Sequence, residues 1–404
     1  MNHHKAPALE SAPVNNPDSF STSASVTLGD CRFISHVTVK QDGSYEFTNS
    51  AMRYFVETTP PPSLHSLVQN IQKKRPFRWF NHPKHLDSII AGCLSPSTTS
   101  ELPSLEEHIL GTRKNVILTW RGILTKIFLG ESVTLHVSLI DGILYMEEED
   151  TKPKWRARRY TFGDAIGMAF EDAYTCAKPK REGQNQAHRN ASTGESLAQV
   201  DTQWGNVITR TLGDLNLVFC GEVDAVRESD PASNTDDGTD TLDFLGRRIE
   251  LKCKSSKGKS APWPRWHMQS HLLAVPEIFI GYRDDSSKII RTRLVRTQDI
   301  KPASFEERIE KGYHVLKELK ERLSTSTDTS NLESGTSLNA NDNIWKVAIG
   351  KWTLGPVTRL GDAEAQKVKR RREDPSRPIE RVGIVPKALV EAIQANREGS
   401  GTLV

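Results

Sequence analysis

The sequence predicts an α/β (α+β) fold with mixed, twisted central β-sheets flanked by helices. Three observations carry this prediction. Short apolar runs of strand character recur along the chain, most clearly at 115–120, 133–148 and 215–226. Two such runs meet across Asp141-Gly142, a dipeptide suited to a tight hairpin turn. Residues 304–323 place apolar side chains about one helical turn apart among many i,i+4 ion pairs, the pattern of a helix packed by one face.

Composition sets the outer bounds. The 404 residues can bury a large core as one big domain or two. Apolar residues make up 36% and charged residues 26%, and the net charge is +3. A nucleic-acid partner must then be met by a local basic patch, because the whole chain is no polycation. The five cysteines, Cys31, Cys93, Cys176, Cys220 and Cys253, are scattered and form no CxxC. That favours reduced thiols in an intracellular compartment and argues against zinc. The polar start and the lack of a long apolar run predict neither a signal peptide nor a membrane span.

Taken in order, residues 1–26 are rich in Pro, Ser and Asn and read as a disordered tail. Residues 31–39 predict a strand and 85–94 a helix. The run 115–130 starts as a buried strand and continues as strand or helix, and 133–148 is the hairpin. In 156–175, Gly163 and Gly167 are expected bends. Loops are expected near 178–194, 228–241 and 324–343. Residues 197–213 and 215–226 read as consecutive strands, and 243–254 as a returning strand. Residues 263–275 fit a helix stopped at Pro276, followed by a hairpin over 276–297 and by one or two strands in 344–360. From 361 to 404 the chain is charged and expected to be largely flexible, with one short amphipathic helix at 386–394. The whole reads as a single catalytic unit over 27–360.

Two short acidic motifs stand out. In GEVD, Glu222 and Asp224 flank Val223; in IELK, Glu250 and Lys252 flank Leu251. Side chains alternate along a strand, so each polar pair shares a face while the apolar residue between them takes the other. Three carboxylates and an ammonium can thus converge. Carboxylate oxygens suit hard divalent cations, and a lysine beside them can hold water or stabilise charge on phosphorus. An ExK after an acidic strand is the pattern of PD-(D/E)xK nucleases, and the 26 residues from Asp224 to Glu250 suit a strand–turn–strand. The bland reading is a set of surface ion pairs. Apolar flanks weigh against it, since buried carboxylates are costly without a cation.

Further motifs fall in order around these: TWRG with Arg121, GMAFE with Glu171, EVD, ELK, and RWHMQS with Arg265 and Gln269. Together, from about Cys31 to Leu360, they resemble the DXO family of RNA 5′-end quality-control enzymes, whose fungal members include partners of the nuclear 5′→3′ exoribonuclease. The sequence departs from the family pattern in Arg265, where lysine is usual, in Ala169 at a hydrophobic site, and in Lys84 or His85 at an acidic substrate-contact position.

The resemblance implies that Glu171, Glu222, Asp224 and Glu250, helped by the Leu251 carbonyl, hold one or two Mg²⁺ or Mn²⁺ ions. It implies that Lys252 and Gln269 position water or phosphate oxygens, and that Arg121 binds phosphates near the RNA 5′ end. Trp120, Gly122, Arg53 and Arg265 are further substrate-contact candidates. Each has a plainer alternative: Arg121 as a core-edge ion pair, Glu171 as a helix cap, Gln269 as a surface amide. The implied substrates are RNA 5′ ends that are capped, NAD-capped, triphosphorylated or monophosphorylated, with a 5′→3′ exoribonuclease as a candidate partner and no membrane. A DNA-directed PD-(D/E)xK nuclease and a non-catalytic exoribonuclease stabiliser are the rival readings. Trp263, Trp266, Trp204 and Phe170 can stack bases or fill the core. His267 and His271 have a zinc-compatible spacing but no thiol or carboxylate beside them. The basic run 367–373 can serve nuclear import, RNA contact or solubility, and intracellular, preferentially nuclear, residence is expected.

Overall fold

The computed structural model describes residues 26–40, 44–58, 61–73, 85–95, 115–149, 161–177, 202–228, 243–258, 260–334, 343–370 and 379–400. Two mixed sheets dominate. The larger has nine strands, ordered from edge to edge β15 (Thr353–Arg359), β14 (Trp345–Gly350), β5 (Val133–Ile140), β6 (Ile143–Glu148), β4 (Val116–Trp120), β9 (Leu215–Glu222), β8 (Thr202–Leu212), β1 (Arg32–Lys40) and β2 (Tyr45–Glu46). The smaller has six: β13 (Ile289–Arg296), β12 (Glu277–Arg283), β11 (Arg248–Ser255), β10 (Ala225–Val226), β3 (Tyr54–Phe55) and β7 (Thr175–Cys176). A ribbon of β16 (Arg381–Val382) and β17 (Val385–Pro386) stands apart. Strand β4 runs parallel to both β6 and β9, and β11 runs parallel to β12, while the hairpins are antiparallel.

The helices are α1 (His65–Lys73), α2 (Asp87–Leu94), α3 (Arg121–Phe128), α4 (Phe162–Ala173), α5 (Asp243–Gly246), α6 (Trp263–Leu272), α7 (Phe305–Ser334), α8 (Asp362–Lys369) and α9 (Lys387–Ser400). The large sheet is buried on both faces. In β9, Leu215, Leu217 and Phe219 join a core with α3, α6 and α7, while Val218 and Cys220 face α2 and the C-terminal segment. Such two-sided burial explains the near-continuous apolar runs in β4 and β9. The hairpin turns at Asp141 (φ 48) and Gly142 (φ 79), both left-handed as a type I′ turn requires.

Several elements differ from the sequence reading. Gly163 and Gly167 do not bend the chain; both lie inside α4. A reciprocal capping box between Thr161 and Asp164 starts that helix, and Ala165, Ile166, Ala169, Phe170 and Ala173 bury one face of it. The ambiguous stretch after Trp120 is helix α3. Helix α7 continues through part of the expected 324–343 linker, to Ser334. The region after 361 is not uniformly loose. Ile384 and Val385 are fully buried, Val390 and Ile393 pack with α2, and Arg381 is buried against Asp87. The expected tail 1–26 and loops 178–194 and 228–241 lie almost wholly outside the described residues. Among the described residues, no helix is long and apolar enough to cross a membrane.

Candidate metal and phosphate site

The chain leaves the large sheet at Glu222, the last residue of β9, and enters the small sheet at Ala225. Val223 and Asp224 make that crossing. The antiparallel pairing of Ala225 with Ile249 brings β11 alongside. Along β11, Ile249 and Leu251 bury themselves against α4, so Glu250 and Lys252 take the opposite face, toward the seam between the sheets. The alternation expected of IELK is therefore present. In GEVD the strand is interrupted between its two carboxylates.

The groups meet closely. Lys252 Nζ donates to Glu250 Oε1 at 2.6 Å and lies 3.5 Å from Asp224 Oδ2. Arg121 reaches Glu250 Oε2 at 3.5 Å. The Leu251 N–H donates to Asp224 Oδ2 at 2.7 Å, which ties the crossing to β11. Gln203 Nε2 donates to Glu222 Oε2 at 3.4 Å. Glu250 is fully buried, whereas the Glu222 side chain opens onto solvent within the cleft.

Electrostatics separate the carboxylates. Although its tip meets solvent in the cleft, the protein packed around Glu222 desolvates it and pushes it up to about 7, and repulsion from Asp224 adds to this. Burial and then Asp224 and Glu222 raise Glu171 well above the usual carboxylate range. Burial and then Glu250 raise Asp224. Glu250 goes the other way: burial alone would raise it, but Lys252 and Arg121 outweigh burial and lower it. Burial would lower Lys252, yet Asp224 and Glu250 hold it above its ordinary value. Four carboxylates face two cationic side chains, so the cluster carries excess negative charge. Among the described residues no three or more acidic, thiol or imidazole side chains are placed to hold a metal ion as they stand. The oxygen-only donor set and its mutual repulsion nevertheless suit a hard divalent cation.

A cavity of about 300 Å³ opens beside this cluster. Trp120, Arg121, Gly122, Glu222 and Gln269 line it, as do Lys126, Gln203 and Trp204. Helix α3 starts here straight out of β4, with no side-chain cap on its N-terminus. The first turn, Arg121 to Ile123, lines the cavity, which sets the positive end of the helix dipole beside it, an arrangement that favours anions. Lys126 is paired with Glu148 at 2.6 Å. Trp204, a base-stacking or core candidate from sequence, is buried in the core and also lines the cavity. Gln203 and Lys126 carry no sequence signal; the register of β8 on β9, with Gly205 opposite Glu222, brings Gln203 and Trp204 here, and no local motif encodes it.

Other candidates stand elsewhere. Arg265 pairs with Glu131 and does not line the cavity. Arg53 donates to Thr175 Oγ1 at 2.7 Å and reaches Asp172 Oδ1 at 3.4 Å, bracing the end of the helix that carries Glu171. His85 is buried, with Nδ1 3.1 Å from both Glu147 oxygens; burial opposes its protonation, but Glu147 prevails and raises its pKa. Lys84 lies outside the described residues. Phe170 and Trp266 are core residues, and Trp263 meets Trp266 edge-on at 5.7 Å. His267 and His271 stack at 5.4 Å with Phe305 edge-on to both, an aromatic cluster rather than a zinc site.

Comparison with known proteins identifies the family and the fold. The model of the RAI1-like PD-(D/E)XK nuclease family matches residues 30–347. The decapping nuclease RAI1 of Cryptococcus neoformans is 27% identical over 200 residues, covering 45% of this chain and 48% of that protein. That of Neurospora crassa is 24% identical over 231 residues, covering 54% and 53%. The chain spans about half the length of the curated relatives it matches. Among solved structures, Candida albicans Rai1 in complex with pU5-Mn²⁺ superposes with a TM-score of 0.62 at 16% identity, covering 92% of this chain and 97% of that one. Scheffersomyces stipitis Rai1 in complex with (3′-NADP)⁺ and calcium ion gives 0.61 at 15% identity, with 92% and 97% covered. At these identities the structures show a shared fold.

Proposed function

On the premise that this chain belongs to the RAI1-like PD-(D/E)XK nuclease family, as the match over residues 30–347 shows, we propose that it is a metal-dependent hydrolase of RNA 5′ ends. The carrying observation is Lys252 held between Glu250 and Asp224, next to a cavity walled by Arg121 and the first turn of α3. Acidic oxygens for a cation and donors for a phosphate thus share one cleft.

Glu171, Glu222, Asp224 and Glu250, with the Leu251 carbonyl, hold one or two Mg²⁺ or Mn²⁺ ions. When bound, such ions polarise a phosphoryl oxygen and lower the pKa of water. The chain's own groups do the rest. Arg121 and the α3 N–H groups orient the 5′ phosphates by charge-assisted bonds. Lys252 and Gln269 position the attacking water or a non-bridging oxygen. Trp120 and Gly122 border the same space. Hydrolysis adds the water oxygen to phosphorus and returns a proton to the leaving oxygen. That one step serves release of GpppN, removal of an NAD cap, loss of pyrophosphate from triphosphate RNA, and 5′→3′ trimming of monophosphate RNA.

Support also comes from the relatives being decapping nucleases and from the nucleotides and divalent ions bound in the Candida albicans and Scheffersomyces stipitis structures. Association with a 5′→3′ exoribonuclease belongs to the same proposal on the resemblance alone, and co-sedimentation with such an enzyme tests it. Nuclear residence rests on the basic run starting at Lys367, of which Lys367 and Arg370 are exposed and Lys369 is buried; a fluorescent fusion tests it. The deciding experiment for activity is a panel of 5′-labelled RNAs (triphosphate, monophosphate, GpppN, methylated cap and NAD) with duplex DNA as control. Release of a labelled 5′ product from RNA is expected. Cleavage of DNA alone would overturn the reading.

A further inference from the structure

We propose that a second, arginine-lined cavity binds the phosphate group of a nucleotide-sized phosphate ester. The cavity measures about 830 Å³ and lies where β8, the turn between α6 and β12, and the end of β13 meet. It shares no lining residue with the cavity beside Glu222. This inference is independent of the activity proposed above.

Four guanidinium groups, those of Arg210, Arg227, Arg247 and Arg296, come to it from separate parts of the chain. The carboxylate in its lining is Glu277, which takes a 2.6 Å bond from Arg227 Nε. Positive charge therefore exceeds negative in the walls. Arg210 is fixed by carbonyls: Nε donates to Gly29 O at 2.7 Å and one terminal nitrogen to His271 O at 2.6 Å. Carbonyls orient a guanidinium without cancelling its charge. Burial depresses the Arg210 pKa; Cys31 and Asp30 oppose this and Arg248 adds to it. Arg248 itself is buried on Asn206 Oδ1 and the Ala274 and Leu245 carbonyls, which adds positive potential behind the wall.

Guanidinium forks match phosphate oxygens in geometry as well as charge. Val275, Pro276 and Leu294 supply an apolar side against which a sugar or ring can lie. The volume falls within the range of small-molecule pockets, ~300–1,000 Å³. Arg296 is exposed at the rim, so changing it leaves the core intact.

The test is a fluorescence titration of the full chain with N-methylanthraniloyl-ADP in EDTA, which removes metal-mediated binding. Saturable binding is expected in the wild type and equally in a Glu222→Gln, Asp224→Asn variant. ADP and pyrophosphate should displace the probe and adenosine should not. Arg296→Glu should weaken binding about tenfold or more while leaving RNA 5′-end hydrolysis unchanged. Four outcomes overturn the proposal: no binding, loss of binding in the Glu222, Asp224 variant, equal binding in Arg296→Glu, or displacement only by long RNA, which would mark a strand-binding groove.

Discussion

Lys252 and Glu250 are separated by one residue on β11, yet the ammonium lies 2.6 Å from the carboxylate. A strand makes this contact possible because both side chains leave the same face. Removing the ammonium by Lys252→Met leaves Glu250 with Arg121 at 3.5 Å and Asp224 with the Leu251 N–H at 2.7 Å. The fold should therefore survive, and the loss should fall on the reaction. We expect kcat to drop ~10²–10³-fold, the size typical of deleting one transition-state electrostatic contact, with a near-native melting temperature. Steady-state kinetics beside thermal melting decide this; a variant that retains full kcat would remove Lys252 from the mechanism.

The excess negative charge of the cluster makes a second expectation. Chelation with EDTA should stop hydrolysis, and added Mn²⁺ should restore it, without unfolding in between. Glu222→Ala with Asp224→Ala should abolish turnover while the protein stays folded, since it relieves repulsion. The buried bond it loses is that from the Leu251 N–H, about 1 kcal/mol, together with the longer contacts of Gln203 to Glu222 and Lys252 to Asp224. Activity retained in that double variant would displace the metal site to other residues.

Gly221 tests the role of Arg121. A Cβ at this position would stand 2.7 Å from Leu273 Cδ1 and 2.9 Å from Arg121 Cδ. Gly221→Ala should therefore displace the Arg121 side chain and raise KM for 5′-phosphorylated RNA more than it lowers kcat. Unchanged KM would place substrate phosphates elsewhere.

The legibility of this protein in its sequence follows the range of the interactions. Local alternation in IELK correctly separated Ile249 and Leu251 from Glu250 and Lys252, because a strand's period needs no partner to be read. The crossing at Val223 and Asp224 was hidden: nothing in GEVD says that one sheet ends at Glu222 and another begins at Ala225. Gly163 and Gly167 misled because glycine's local cost was weighed without the capping box and the buried face that outweigh it. The C-terminal segment misled most. Its charge suggests a loose tail, while its anchor is a contact between residues 294 positions apart.

That anchor is the paired bond of Arg381 to Asp87, at 2.9 and 2.7 Å, with the arginine side chain 1% exposed. Removing Asp87 leaves a buried guanidinium without its carboxylate, though it still donates to the Ile384 carbonyl at 3.0 Å. Asp87→Ala should cost about 3–5 kcal/mol, read as a lower midpoint in urea. It should also loosen the packing of Ile384, Val385 and Val390 on α2, seen as faster hydrogen exchange there. Replacing both partners with apolar residues should cost less than their separate effects combined. Strict additivity would show that the pair does not hold this segment.

Buried His267 and half-buried His36 and His271 weaken the fold in acid, whereas His85, raised by Glu147, acts in the opposite sense. His36 is lowered to about 4 by burial and then Arg248; His271 is lowered to about 4 by burial, Arg210 and His267; His267 is lowered to about 4 by burial. His267 Nδ1 has no hydrogen-bond partner among the described residues, so a proton placed there meets no acceptor. An unfolded histidine titrates near ~6.5. Between about 6.5 and 4 the unfolded chain thus binds protons that the native state refuses, and stability falls as pH falls through that window. The metal-free carboxylates with raised pKa act in the opposite sense, because there the native state binds the extra protons. A comparison isolates the histidines: His36→Phe and His271→Phe, each in a separate protein, should flatten the decline of the urea midpoint between pH 6.5 and 4.5 relative to wild type. Equal slopes in wild type and variants would mean that these imidazoles are already charged in the native protein.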